Sequence, residues 1–133
     1  MEIGQSYSEK VKISEADVRA FADLSKDFNP LHLDCEYART TIFERPICHG
    51  ALVTASFSKI LATNLPGPGT VYLSQESRFQ KPIFWDEEFH VVVTVTEALG
   101  RDRFKLHTQV MKQDGSLAVD GIASDVIAHS RTV

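Results

Sequence analysis

The chain predicts an α+β domain in which one long helix is wrapped by a curved antiparallel five-stranded sheet, with a short helical insertion after the first strand. Three observations carry this. Residues 50 to 64 are the most apolar stretch, with no proline, no acidic residue and only Lys59 charged, so they form a helix enclosed on most sides. Residues 70 to 128 read as strand throughout, divided by turn residues. Between the first strand and the long helix, helix starts and stops alternate without one continuous pattern.

Residues 6 to 13 alternate loosely, with Tyr7, Val11 and Ile13 on one side, and make a first strand at a sheet edge. Ser14 is then an N-cap with Asp17 three residues on, and Val18, Phe21, Ala22 and Leu24 or Ser25 follow at helical spacing, giving an amphipathic helix over residues 15 to 25. Asp27 leaves its carboxyl end. The segment Asp27-Phe28-Asn29-Pro30-Leu31-His32 is not expected to be helical, because the residue before Pro30 is pushed to extended angles and Asp27 and Asn29 favour turns. Asp34 caps a further short helix through Glu36, Tyr37, Ala38 and Arg39, and residues 40 to 46 return as a loop. Lying between a strand and the long helix, this insertion reads as a lid.

The long helix stops at Leu65-Pro66-Gly67-Pro68-Gly69. Strands follow over residues 70 to 79, 88 to 96, 104 to 111 and 117 to 128, with Phe89, Val91, Val93 and Val95 on one face of the second, and with hairpin turns around Gly100 and at Asp114-Gly115. One buried helix followed by a meander is the hotdog arrangement. A ferredoxin-like domain would need two helices of similar exposure on one sheet face, and only one strongly buried helix is present.

At 133 residues the chain fits a single domain, 1–133, that buries a core without disulfide or metal staples. With 43% hydrophobic and 24% charged residues and no apolar run of membrane length, a membrane span is not expected. A net charge of −4 argues against nucleic acid as partner. Arg101, Arg103 and Lys105 form the densest basic cluster, which reads as a solvated hairpin end. Cys35 and Cys48 match no zinc or redox spacing, and the amino terminus lacks the basic start and apolar core of a signal peptide, so the expected compartment is the cytoplasm.

Asp27 and His32 bracket Pro30 and can face one another across a turn. A carboxylate beside an imidazole is the minimum equipment for moving protons at neutral pH; the same residues also serve as ordinary turn chemistry. The first residues of the long helix, Gly50 and Ala51, offer amides that can hold negative charge growing on a carbonyl oxygen, although helix starts need such residues in any case. His90, His107 and His129 alternate with apolar neighbours and are expected to face solvent. Neither a Gly-rich nucleotide loop nor a nucleophile elbow appears.

Residues 21 to 38, F-A-D-L-S-K-D-F-N-P-L-H-L-D-C-E-Y-A, resemble the signature of the MaoC-like, (R)-specific enoyl-CoA hydratases, the hydratase 2 family. Arg45-Pro46-Ile47-Cys48-His49-Gly50-Ala51-Leu52 resembles that family's R-P-I-V-H-G segment, and residues 74 to 82 resemble the strand that follows. The resemblance implies a hotdog fold working as a homodimer or higher oligomer. It implies that Asp27 and His32 activate water, supported by Asn29 and His49, while the Gly50 amide holds the thioester oxygen. It also implies that Ser58, two helical turns beyond Gly50 on roughly the same face, lines the site, a small residue for close helix-sheet packing being the alternative there; by helical spacing Leu61, one turn further, would continue the wall of an acyl pocket. The substrate implied is an acyl-CoA or acyl-carrier-protein thioester, with no cofactor and no metal. Two positions depart from the family pattern: Lys26 stands where it has Gly before the catalytic Asp, and Trp85-Asp86 where it has Gly-Asp.

Three other readings stand beside hydration. A dehydratase acting on acyl-carrier-protein thioesters would keep the same pair of residues. A hotdog thioesterase would commonly need an acidic residue on or near the central helix, and residues 50 to 64 contain none. A non-catalytic acyl-thioester binding module would need neither Asp27 nor His32.

Overall fold

Strand patterning and turn chemistry resolve into one antiparallel sheet of β1 (Ser6–Lys12), β2 (Thr70–Phe79), β3 (Glu88–Gly100), β4 (Arg103–Lys112) and β5 (Leu117–Ile127). The computed structural model describes residues 1–128, so His129 lies outside the described residues. Strand order is β1-β3-β4-β5-β2, which places β1 at an edge as expected but corrects the simple meander. Only β3, β4 and β5 are joined by tight turns, at Gly100 with φ 76° and Gly115 with φ 85°. Residues 80 to 87 include Pro82 and make no such turn, so β2 pairs across with β5 and becomes the other edge. β3 also runs past its expected end to Gly100, because a register shift between Val95 and Glu97 lets the hairpin continue to the exposed charges at Arg101 and Arg103.

Four helices complete the described residues: α1 (Glu15–Ser25), α2 (Pro30–Leu33), α3 (Cys35–Arg39) and α4 (Gly50–Thr63). Ser14 accepts from the Asp17 amide while the Asp17 side chain accepts from the Ser14 amide, so α1 begins with a complete capping box. Val18 and Ala22 are its buried residues, whereas Leu24, expected on the apolar face, is 83% exposed. Residues 30 to 33 are helical, contrary to expectation. Proline forbids the helix only to the residue before it; its own fixed φ suits a first helical position, and Asn29 caps that turn by accepting from the Leu31 amide.

The core lies between α4 and the concave sheet face. Phe57, Ile60 and Leu61 of α4 are buried with Phe89, Val91, Val93 and Val95 of β3 and Leu106 and Val110 of β4, each such side chain contributing about 1.5–3 kcal/mol by burial. α4 is not enclosed on most sides, however. Ala51, Ala55, Ser58, Lys59 and Ala62 are exposed. Small and weakly polar residues make the segment read as apolar all round, while one sheet covers only the side bearing the large ones.

Candidate active site

Asp27 is delivered by a left-handed turn. Lys26 closes α1 at φ 67° and ψ 16°, its amide donating to the Ala22 carbonyl at 2.8 Å. The backbone is therefore the one a glycine would adopt there, and lysine carries a strain of about 1 kcal/mol to hold it. Beyond the turn, Asp27 Oδ1 accepts from the Asn29 amide at 3.2 Å and Asn29 Oδ1 from the Leu31 amide at 3.0 Å, so two successive side-chain turns lead directly into α2.

His32 rides on α2 and is buried. Its Nδ1–H donates to the Ile47 carbonyl at 2.8 Å, and the Trp85 Nε1–H donates to the His32 carbonyl at 3.0 Å, so both ring and main chain are clamped. A carbonyl can only accept, which puts the ring proton on Nδ1 and leaves Nε2 with a free lone pair. Burial lowers the pKa of His32 below 6.5; the Ile47 bond opposes it, His49 adds to it, and the Asp27 charge opposes it less. At neutral pH the ring is thus an uncharged base. Trp85 was visible in the sequence only as a departure from the family pattern; its contact to an element 53 residues away has no local signal.

His49 stands immediately before α4. Its ring is 2% exposed, its Nε2 bonds the Asp27 carbonyl at 3.0 Å, and it stacks on His32 with centroids 4.0 Å apart and planes at 30°. Ligand-capable atoms of Asp27, His32 and His49 all lie within 4.8 Å of one another, so these residues could also hold a metal ion, a grouping that sequence spacing did not suggest.

A cavity of about 370 Å³ opens beside them, with His32, Cys48, Gly50, Val53, Phe79 and Ile83 among its walls. This size suits a small acyl group with part of its thioester arm. The Gly50 amide has no acceptor within its own helix, as the first turn requires. A Cβ on Gly50 would meet the Phe79 ring at 2.8 Å, so glycine is the residue that lets the helix start and the aromatic wall approach this closely. Burial pushes the Cys48 thiol up to about 12, which keeps it protonated and without nucleophilic character.

The other expected site residues are placed differently. Ala51 is exposed and is not part of the cavity wall. Ser58 is also exposed, since eight residues rotate a helix about 80° past the starting face, and Leu61 is sealed in the core at 1% exposure. The cavity walls include neither. His90 is exposed, but His107 is half-buried, its Nε2 lying 2.6 Å from Asp120 Oδ1.

These features define a hotdog domain with a carboxylate–imidazole pair beside the amino terminus of its central helix. The model of the MaoC like domain matches residues 1–117, and the chain belongs to that family. It is 46% identical to the (R)-specific enoyl-CoA hydratase of Aeromonas caviae over 92% of each chain. It is 36% identical to the (R)-specific enoyl-CoA hydratase of Rhodospirillum rubrum, over 93% of this chain and 86% of that one. The solved structure of the A. caviae (R)-hydratase involved in PHA biosynthesis superposes with a TM-score of 0.92 at 43% identity, covering 96% of this chain and 97% of that one.

Proposed function

We propose that this protein adds water to a trans-2-enoyl-CoA, forming (R)-3-hydroxyacyl-CoA, and catalyses the reverse dehydration. The observation that carries this reading is the clustering of exposed Asp27 with His32, which shares a cavity wall with Gly50, the arrangement that addition to an unsaturated thioester needs. The relatives' names supply the stereochemistry and the CoA handle.

Water oxygen bonds to C3 while the dyad of Asp27 and His32 takes its proton, and a proton passes from the dyad to C2. His32 Nε2, uncharged and free of any main-chain bond, is suited to the proton acceptance. Negative charge on the thioester oxygen is held by the Gly50 amide and the dipole at the start of α4. The whole chain acts as one domain, with acyl-CoA as substrate and no prosthetic group required.

The functional unit is a homodimer in the cytoplasm. Support comes from β2, a sheet edge that leaves Val71, Leu73 and Phe79 exposed and offers unpaired main-chain groups to a second copy. No helix among the described residues is long and apolar enough to cross a membrane.

The test is hydration of crotonyl-CoA followed by chiral analysis of the 3-hydroxybutyryl product, with crotonyl-acyl-carrier protein run in parallel. An (R)-product formed faster from the CoA ester is expected. Binding without hydration would assign the chain to acyl-thioester binding instead, and an (S)-product would overturn the stereochemical assignment.

A further inference from the structure

We propose that His49 is a positioning residue that ties the two halves of the site together, its Nε2–H holding the Asp27 main chain and its ring holding the His32 ring. The inference rests on the hydratase reading above for its kinetic consequence, and on geometry alone for its structural one. Asp27 and His49 are 22 residues apart, on the exit of α1 and the entrance of α4, and a 3.0 Å side-chain bond joins them. The acceptor is a carbonyl, so the His49 ring proton sits on Nε2 and Nδ1 carries a lone pair. That Nδ1 has no partner although it is buried.

A buried ring with one nitrogen left unsatisfied gives up the desolvation of that nitrogen. Packing alone would be served by Phe at the same place, between Phe21 at 4.9 Å and His32 at 4.0 Å. What Phe cannot supply is the donor to Asp27. Because the residue after His49 is Gly50, one side chain sets the carboxylate against the proposed thioester-oxygen hole, while its stacked face fixes the plane of the His32 ring. His49 is 2% exposed, with its ring faces against Phe21 and His32 and its Nε2 on the Asp27 carbonyl, so it acts through these neighbours.

Two substitutions separate the donor from the ring. His49→Phe keeps an aromatic slab and removes the N–H; His49→Gln keeps an N–H at nearly the same reach and removes the slab. For a donor that positions Asp27, His49→Phe lowers kcat for crotonyl-CoA hydration at least about thirtyfold with KM within about threefold, the scale of a misplaced catalytic group. His49→Gln recovers most of that loss. The opposite order, with Phe near wild type and Gln impaired, is the outcome of packing alone and overturns the proposal. Should His49→Phe fail to give a cooperative melt, nitrogen-15 spectra of the histidine rings in the wild-type protein decide. A His49 ring protonated at Nε2 and bare at Nδ1 supports the proposal, and the reverse tautomer removes it. That spectrum is read whether or not wild-type protein hydrates crotonyl-CoA, so loss of the hydratase reading is seen separately.

Discussion

Two buried ionisable groups, one on α2 and one on β5, have been treated differently by the fold. His32 and Asp125 are both pushed by burial toward their uncharged forms, His32 below 6.5 and Asp125 up to about 6 from 3.8. His32 is held by the Ile47 carbonyl, backed by Trp85 and stacked on His49. Asp125 is 0% exposed, yet neither carboxylate oxygen has a hydrogen-bond partner, and its neighbours across the sheet are Tyr72 and Phe104. The same desolvation that keeps His32 uncharged at neutral pH leaves Asp125 as a stability cost whenever it ionises. Burial alone therefore does not separate the two groups; the clamps around them do.

Removing either member of the dyad should break the comparison most. Asp27→Asn and His32→Gln should each lower hydration at least about a hundredfold, with acyl-CoA binding by calorimetry within several-fold of wild type. On the proposed mechanism the pair acts as one unit, so the double variant should lose little more than the worse single one. Full rates in both single variants would remove the dyad from the chemistry.

Asp125→Asn should separate cost from function. The folded pKa is raised above the unfolded one, so the favourable contribution of the neutral acid is fully present below about 3.8 and is lost as pH rises through about 6. Relative to wild type, the variant should therefore gain up to about 3 kcal/mol between pH 4 and pH 7.5, read by denaturant unfolding at both values, with hydration unchanged. Parallel unfolding curves at the two pH values would show that Asp125 finds a partner after all.

The pH profile sharpens the His32 side. Protonation of Nε2 abolishes the base, and burial lowers the pKa at which this happens, so the acid limb of kcat/KM should fall with a midpoint below 6.5. A limb above that value would mean that Asp27, not burial, dominates the ring's environment.

The smallest effect concerns the turn that carries Asp27. Lys26→Gly relieves a left-handed lysine at φ 67° but loosens the unfolded chain, and should raise stability by at most about 1 kcal/mol. Activity should stay within a few-fold. A large gain in turnover would show that lysine distorts the dyad.

Much of this molecule is decided locally. The capping box at Ser14 and Asp17 set the start of α1, the Pro-Gly run after Asn64 set the end of α4, and the turns at Gly100 and Gly115 set the three-stranded meander, because each depends on backbone angles and hydrogen bonds within a few residues. The pairing of Asp27 with His32 was legible for the same reason, and the hotdog class followed from the number and order of elements. Tertiary structure alone decided the rest. Whether β2 joins β3 or β5, which face of α4 meets the sheet, that Trp85 backs His32, and that His49 reaches Asp27 are all contacts between segments far apart in the chain. Periodicity names a face but not its partner, and a helix of small residues reads as apolar on the side that meets nothing. Ser58 sits away from the cavity because it is rotated about 80° from Gly50 to the exposed side, and Leu61 because it lies about three turns further along, inside the core, distinctions made only when helix and sheet dock.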